Sequence, residues 1–276
     1  MIIIKNFSFA YPCEQVLKNI NLQYQPGGIY YLLAPNGFGK STLLRSMAGL
    51  HKPSSGSIKV GNYNAVDRPI KMLQDLCFIS EDTYFPNMQI SDFPVLYGLL
   101  YPKFNTTHFY NYLEKFEVEK GNWLSALSFG QIKKLHLAFA FATNADVILL
   151  DEPTNGLDIN SKMQFRKILA TIINGDKTII ISTHDVVDMD ILADGITVLR
   201  NETVVFHQKT ADILKKIYFD FTTDKSEAEE ALYSEQTYYG FMTIKTNFMA
   251  HESNLNMELL YRGLLNQPQK ITALFT

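Results

Sequence analysis

The residues best suited to chemistry lie in a loop near the N-terminus. The segment Ile29–Leu33 has the apolar and aromatic composition of a buried strand, and Gly37 and Gly39 follow it in the loop. Lys40 and Ser41 then open an apolar-periodic segment that predicts a helix. A strand, a glycine-containing loop and a Lys-Ser pair predict a phosphate-binding loop, because glycine lets backbone N–H groups turn towards a polyphosphate. We expect Lys40 to reach the β- and γ-phosphates and the Ser41 hydroxyl to ligate Mg²⁺.

This loop departs from the usual pattern G-x-x-x-x-G-K-[ST] at its first position, which is Ala34. Alanine tolerates a left-handed backbone poorly, so we expect a negative φ at Ala34. An unrelated flexible loop before a helix is the alternative interpretation of this segment.

A second group of candidate residues stands where two later strands are expected to end. Asp151 and Glu152 follow the apolar run Val147–Leu150, and His184 follows the apolar run Thr178–Thr183. Open α/β folds bind ligands at this edge of the sheet. We expect Asp151 to hold Mg²⁺ through water, Glu152 to activate the attacking water and His184 to contact the γ-phosphate. The alternative is that acids and a histidine at strand ends are simply solvated.

Apolar periodicity predicts a helical insert at about residues 88–142. Its predicted helices are 94–100, 107–116 and 131–141. Within the insert, Ser128 and Gln131 have the spacing of a capping box, so we expect Ser128 to cap the third helix. Alone, this segment indicates a capped helix and nothing more.

The composition is that of a globular protein of 276 residues with a formal net charge of −3. That charge argues against nucleic acid as the main partner. Cys13 and Cys77 fit no metal or redox spacing, which favours a reducing compartment. No run reaches the roughly 18 apolar residues of a membrane helix, and the N-terminal apolar run is too short for a signal peptide.

Taken in order, these motifs resemble the nucleotide-binding subunit of an ATP-binding cassette (ABC) transporter over about residues 1–207. The matching segments are Ala34–Ser41 (Walker A), Leu127–Gln131 (the signature LSGGQ), Val147–Glu152 (Walker B) and Asn155–Asp158 (the D-loop). His184 falls on the switch histidine and Tyr11 on the aromatic residue that stacks on adenine. The resemblance implies an α/β P-loop NTPase fold with antiparallel N-terminal strands and a helical insert. Residues 208–276 are expected to form a small α+β accessory region.

The resemblance also implies a role for each site residue, with ATP and Mg²⁺ as the bound groups. The expected catalytic residues are Glu152, His184 and Lys40. The expected ATP contacts within the chain are Tyr11, Asn36, Gly37, Phe38, Gly39, Lys40, Ser41 and Thr42. Ser128, Gly130 and Gln131 are expected to contact ATP bound to a second subunit, Asp158 to act in the D-loop, and Ser41, Glu81 and Asp151 to hold Mg²⁺.

The implied partners are a second cassette, as a homodimer or a heterodimer, and a separate transmembrane permease, with no nucleic acid. Such a chain is cytoplasmic and peripheral on the inner face of the cell membrane. A soluble ABC ATPase for macromolecular assembly or regulation is an alternative function. A degenerate cassette that only binds ATP is another, and the intact Lys40, Asp151, Glu152 and His184 count against it.

Two further departures from the family pattern concern single residues. Phe129 replaces the first glycine of LSGGQ, and Glu81 stands where the family usually has the glutamine of the Q-loop. A glutamate still offers an oxygen to Mg²⁺, but it adds a charge. Together with Tyr97–Phe104 and Leu259–Leu265, Glu81 is similar to the exporter subgroup of bacitracin-type drug-resistance cassettes.

Overall fold

A computed structural model describes residues 1–82, 86–173, 176–184, 186 and 192–275. The strands of the nucleotide-binding part are β1 (Ile2–Tyr11), β2 (Glu14–Tyr24), β3 (Gly28–Leu33), β4 (Ser55–Val60), β5 (Tyr63–Asn64), β6 (Leu76–Ile79), β7 (Val147–Asp151), β8 (Thr178–Thr183), β9 (Gly195–Arg200) and β10 (Thr203–Lys209). Its helices are α1 (Lys40–Met47), α2 (Ile70–Gln74), α3 (Asp92–Leu96), α4 (Thr106–Lys115), α5 (Phe129–Ala142) and α6 (Ile159–Ile172).

The central sheet has the strand order β10-β9-β3-β8-β7-β6, and it is parallel except for the β9–β10 hairpin. Every residue of β3, β7 and β8 is buried, which explains why these strands are continuous apolar runs without polar alternation. Alternate side chains of β3 point to opposite faces. Ile29 and Tyr31 join the core under the helices, whereas Tyr30 and Leu32 join the core under the antiparallel sheet.

The N-terminal strands form an antiparallel sheet in the order β2-β1-β4-β5. In β1 the buried side chains alternate through Ile2 and Ile4 and then resume at Phe7 and Phe9. The change of phase falls at Asn6, which has φ 47° where the pairing register of β1 shifts. This sheet covers one face of the central sheet and confirms the predicted antiparallel N-terminal strands.

The helical insert contains α3, α4 and α5, as its apolar periodicity predicts. One predicted helix differs: residues 94–100 were expected to be continuous, but α3 ends at Leu96 and a separate 3₁₀ turn covers Gly98–Leu100. The break falls at Gly98, which is a poor helix former and packs closely against Phe104. Tyr101 adopts an extended conformation, as expected for a residue before proline, and stops the helix from continuing.

The C-terminal residues form a small α+β unit, as expected. Its elements are α7 (Thr210–Lys216), β11 (Ile217–Thr222), α8 (Lys225–Glu230), β12 (Tyr233–Gln236), β13 (Phe241–Thr246), α9 (Met257–Asn266) and α10 (Pro268–Thr272). Buried residues of β13 and α9 belong to the same hydrophobic cluster as β9 and α5, so this unit packs on the helical side of the central sheet. Strand β10 crosses the expected boundary at residues 207 and 208, and the two-part division stays a prediction. No helix within the described ranges has both the length and the apolar character needed to cross a bilayer.

Candidate functional site

The predicted phosphate loop connects the buried strand β3 to α1. Gly37 has φ 84° and Gly39, the residue before the helix, has φ 87°. A Cβ on Gly39 would lie 2.9 Å from Cδ2 of Leu17, so both conformation and space require glycine there. Ala34 is fully buried and is not among the residues with positive φ, which confirms the expectation for this departure.

A cavity of about 250 Å³ lies over this loop. It is lined by Asn36, Gly37, Gly39, Lys40, Ser41, Thr42, Glu81 and Glu152. Residues from the phosphate loop, the loop after β6 and the end of β7 thus converge on one space. Phe38 packs against the core under the antiparallel sheet instead.

Lys40 directs its ammonium group back over the loop. Its Nζ donates a 2.8 Å hydrogen bond to the carbonyl of Ala34 and lies 3.4 Å from Oε1 of Glu152. The residue is 5% exposed, so the positive charge is held inside the protein at the wall of the cavity. A buried ammonium ion beside backbone carbonyls and one carboxylate is suited to receive an anionic ligand.

Asp151 lies beneath the loop at the end of β7. Its Oδ1 accepts hydrogen bonds from the hydroxyls of Ser41 at 3.0 Å and Ser182 at 2.6 Å. Its Oδ2 is buried and has no hydrogen-bond partner within the part of the chain that the structure describes. Burial raises the pKa of this carboxyl group, and the two serine hydroxyls oppose that rise. A buried carboxylate oxygen with spare acceptor capacity next to a serine hydroxyl fits the oxygen ligands that Mg²⁺ prefers.

Glu152 has a strained backbone conformation at the exit of the sheet. Its φ is 46°, a left-handed value that is uncommon for residues other than glycine. Its N–H donates to the carbonyl of Ser182 at 3.1 Å, and its side chain is buried. Oε1 lies 3.0 Å from Nδ1 of His184 and 3.4 Å from Nζ of Lys40. The three predicted catalytic side chains are therefore in contact, with the Glu152 carboxylate between the Lys40 ammonium and the His184 imidazole.

The signature residues lie on a different part of the chain. The predicted capping box is confirmed: Ser128 Oγ accepts from the N–H of Gln131 at 3.3 Å, and Gln131 Oε1 accepts from the N–H of Ser128 at 2.9 Å. Such a cap contributes about 1 kcal/mol to helix stability. Ser128, Gly130 and Gln131 do not line the cavity described above. They lie at the N-terminus of α5, and a helix N-terminus is a favourable place for an anion.

Two other predicted residues are engaged in local contacts. The Tyr11 ring packs edge-on against Phe9 and His51, with centroid distances of 5.0 and 5.9 Å, and it lies outside the cavity lining. Asp158 caps α6 by accepting from the N–H of Ser161 at 2.8 Å. That hydrogen bond is the main reason why the pKa of Asp158 is lowered. Neither contact identifies a nucleotide-binding role by itself.

Three contacts of the site were not predicted from the sequence. Ser182 lies inside a continuous β-branched strand, so its bond to Asp151 depends on how neighbouring strands align. Asn155 belongs to the D-loop match, and its amide donates a 2.7 Å hydrogen bond to Glu81. Lys133 is buried on α5 and donates a 2.8 Å hydrogen bond to the carbonyl of Glu152. For Lys133, the sequence signal that could have indicated its contact is the position of a lysine on the apolar face of a predicted helix.

A parallel sheet with a glycine-containing loop after β3, a lysine at the helix start and two acids at the end of β7 defines a P-loop nucleotide hydrolase. The sequence model of the ABC transporter family matches residues 17–155. The phosphonates import ATP-binding protein PhnC of Fusobacterium nucleatum is 30% identical over 79% of this chain and 98% of its own length.

Two solved structures are also similar. One is a dimeric post-hydrolysis state of the ATP-binding cassette MJ0796 bound to ADP and Pi. It is 25% identical, with a TM-score of 0.66 over 76% of this chain and 98% of that chain. The other is cbiO1 from Clostridium perfringens, part of the ABC transporter complex cbiONQ. It is 27% identical, with a TM-score of 0.61 over 77% of this chain and 89% of that chain. The chain therefore belongs to the ABC transporter family, as an ATP-binding subunit with ATPase activity.

Proposed function

We propose that this subunit hydrolyses Mg²⁺-bound ATP with Glu152 as the general base and thereby drives a separate transmembrane permease. The observation that carries the proposal is the position of the Glu152 carboxylate, between His184 and Lys40 at the wall of the phosphate cavity. A buried carboxylate at the end of a strand, next to a phosphate loop, is suited to accept a proton from the attacking water.

Lys40 contacts both the phosphate loop and the proposed base. Its Nζ lies 3.4 Å from Oε1 of Glu152 and donates a 2.8 Å hydrogen bond to the carbonyl of Ala34 at the wall of the cavity. A polyphosphate offers the ammonium a stronger partner. We expect Lys40 to bind the β- and γ-phosphates, while His184, whose Nδ1 lies 3.0 Å from Oε1 of Glu152, orients the carboxylate of the base.

Mg²⁺ fits the residues beneath the loop. Asp151 Oδ2 and Ser41 Oγ are the oxygen atoms that would hold the ion, directly or through water, and Glu81 lines the same cavity. When bound, Mg²⁺ supplies positive charge that neutralises the phosphate oxygens in the transition state. Asp151 is already fixed in place by Ser41 and Ser182, so little rearrangement of this side chain is needed.

We further propose that ATP is bound between two chains. Ser128 and Gly130 do not line the cavity of their own chain, and the relative MJ0796 is dimeric in its ADP- and Pi-bound structure. A head-to-tail pair would bring the N-terminus of α5 from one chain to the phosphate loop of the other. The second subunit is a copy of this chain or a different cassette.

An apolar groove supports docking of the permease. It has a volume of about 580 Å³ and lies between the central sheet domain and the helical insert. Its lining includes Ile70, Leu99 and Leu100, whose exposed fractions are 74%, 81% and 61%. A contiguous apolar surface of this kind is typical of a protein interaction site, and we propose that it receives a cytoplasmic segment of the permease. The subunit would then lie at the inner face of the membrane.

The direction of transport stays a prediction. The exporter hypothesis depends on the resemblance of Glu81, Tyr97–Phe104 and Leu259–Leu265 to the bacitracin-type subgroup. Several relatives are named import proteins, including those for phosphonates, sulfate/thiosulfate and Fe(3+) ions. Transport of a labelled substrate into or out of vesicles with the cognate permease would decide between the two directions. The soluble, non-transport function has no specific observation in its favour.

The substitution Glu152→Gln tests the proposed mechanism. Removal of a general base lowers the rate by about 10² to 10⁴, whereas ATP binding depends on Lys40 and the loop and should persist. We expect the variant to accumulate as an ATP-bound dimer on gel filtration while phosphate release falls. Wild-type phosphate release by this variant would assign the base to another residue.

A further inference from the structure

Lys133 holds an unusual position for a lysine. It lies on α5, five residues after the signature serine Ser128, and it is 6% exposed. Its Nζ donates a 2.8 Å hydrogen bond to the backbone carbonyl of Glu152. Burying an ammonium group is costly unless it is paired, so this contact is specific rather than incidental.

The surroundings confine the Lys133 side chain. Its Nζ lies 5.5 Å from the centroid of the Phe129 ring, one turn earlier on the same helix. The Phe129 ring in turn covers Gly156, where an added Cβ would lie 2.8 Å from Cε1 of Phe129. Burial lowers the pKa of Lys133, while nearby carboxylates, Glu81 first among them, oppose the shift.

The carbonyl that accepts the Lys133 hydrogen bond belongs to Glu152, whose φ is 46°. A left-handed backbone at a glutamate persists only if surrounding contacts hold it. On the N–H side, Ser182 accepts from Glu152 at 3.1 Å, and on the carbonyl side Lys133 donates to it. The buried side chain that leaves this backbone has its Oε1 3.4 Å from Lys40 and 3.0 Å from His184, at the wall of the phosphate cavity.

We infer that Lys133 is a positioning residue that holds the backbone of Glu152 in the conformation that aims its carboxylate at the phosphate cavity. This inference rests on the proposed role of Glu152. It also has a consequence for the dimer. The N-terminus of α5 would serve ATP bound to the partner, whereas Lys133 on the same helix serves the ATP bound to its own chain.

The first test is kinetic. Lys133→Met keeps roughly the length of the side chain, but it cannot donate to the carbonyl of Glu152. Misplacement of a reacting group by about 1 Å costs about 10²-fold, so we expect kcat to fall about 10- to 100-fold with KM for ATP nearly unchanged. Lys133→Arg keeps a donor and should recover part of the rate. Lys115→Met, at an exposed lysine that also lies over an aromatic ring, is the matched control and should behave as wild type.

A double variant distinguishes a positioning role of Lys133 from a general loss of structure. In Glu152→Gln the base is already absent, so adding Lys133→Met should reduce single-turnover hydrolysis little further. If Lys133 only supported the fold, the two losses would multiply and ATP binding would also fall. Wild-type kcat in Lys133→Met would overturn the inference. A wild-type chain without ATPase activity would instead contradict the proposed mechanism itself.

Mixed dimers test which ATP site Lys133 serves. If it acts on Glu152 of its own chain, Lys133→Met should restore activity when mixed with Ser128→Arg, because one site then has both lesions and the other has neither. It should not restore activity when mixed with Lys40→Ala. Mixing Ser128→Arg with Lys40→Ala is the positive control for shared sites. The opposite pattern is recovery when Lys133→Met is mixed with Lys40→Ala but not when it is mixed with Ser128→Arg. That pattern would show that Lys133 acts on the site served by its own signature motif, and it would overturn the inference. If the positive control fails, the inference is still tested by the separate effects of Lys133→Met on kcat and KM and by the double variant with Glu152→Gln.

Discussion

The side-chain amide of Asn155 donates a 2.7 Å hydrogen bond to the carboxylate of Glu81. Glu81 follows β6 and Asn155 follows β7, and these two strands are neighbours in the parallel sheet. The bond therefore joins two loops that leave the same edge of the sheet, and each contributes a residue to the wall of the phosphate cavity, Glu81 and Glu152. Because a charged acceptor strengthens a hydrogen bond, Glu81 is held more firmly in this loop than a neutral residue would be.

The first prediction concerns the charge of Glu81. Glu81→Gln keeps an oxygen that can accept from Asn155, so the loop should stay in place and kcat should remain within about threefold of wild type. An amide binds Mg²⁺ less well than a carboxylate, so the Mg²⁺ concentration for half-maximal activity should rise. ATPase assays across a Mg²⁺ titration measure both effects. Asp82→Asn, which removes the neighbouring exposed carboxylate, is the control for a general change of charge. A tenfold or greater rise in kcat would instead identify Glu81 as a brake on hydrolysis.

The second prediction concerns the pKa of Asp151, which burial raises. A carboxyl group whose folded-state pKa lies above its unfolded value favours folding when protonated. Its contribution is fully present below the unfolded pKa and is lost as the pH rises through the folded pKa. At neutral pH the ionised Asp151 therefore destabilises the ligand-free protein. Asp151→Asn, which can still accept from Ser41 and Ser182, should raise the melting temperature of the ligand-free protein at pH 7, with the gain vanishing in acid.

The same variant separates stability from function. Mg²⁺ with ATP should raise the melting temperature of the wild type strongly and that of Asp151→Asn only weakly, because the ion loses its carboxylate ligand. Differential scanning calorimetry at two pH values, with and without Mg²⁺ and ATP, measures all of these differences. Equal ligand-induced shifts in the two proteins would place the Mg²⁺ ligands elsewhere.

The third prediction concerns the contact between Phe129 and Gly156. Gly156 has φ 79°, and a Cβ there would lie 2.8 Å from the Phe129 ring. Gly156→Ala should lower the free energy of unfolding by about 1 to 2 kcal/mol from the backbone alone, with more from the ring contact. In a Phe129→Gly background the ring contribution disappears, so the same substitution should cost less. Urea denaturation of the four proteins measures the difference. An equal cost in both backgrounds would mean that the ring moves aside.

The sequence predicted most of the fold because its main signals are local. The buried strands β7 and β8 contain the apolar runs Val147–Leu150 and Ile179–Ile181, and their bounds match the predicted segments closely. The contact of Ser128 with Gln131 spans three residues and could be predicted from spacing alone. Contacts that depend on how strands and helices pack together could not be predicted from spacing. Ser182 meets Asp151, and Lys133 meets the carbonyl of Glu152, only after the sheet and α5 have packed together.

The last prediction is that the ATP site is shared between two chains. In this chain, Lys40 lies at the wall of the phosphate cavity, whereas Ser128 caps α5 and does not line that cavity. If a second chain supplies the serine, each composite site needs a working Lys40 from one chain and a working Ser128 from the other. Lys40→Ala and Ser128→Arg should each be inactive alone.

Mixing these two variants distinguishes shared sites from sites within one chain. A mixed dimer of shared sites contains one site with both lesions and one site with neither, so ATPase activity should partly return. If each site were built within one chain, every site would keep one lesion and activity would stay absent. Cassette pairs can couple their two sites, so formation of the mixed dimer must be shown independently, for example by co-purification through two different affinity tags. If the mixed dimer forms but activity does not return, the shared site is ruled out. A dimer with shared sites would contain one site that has both a working Lys40 and a working Ser128.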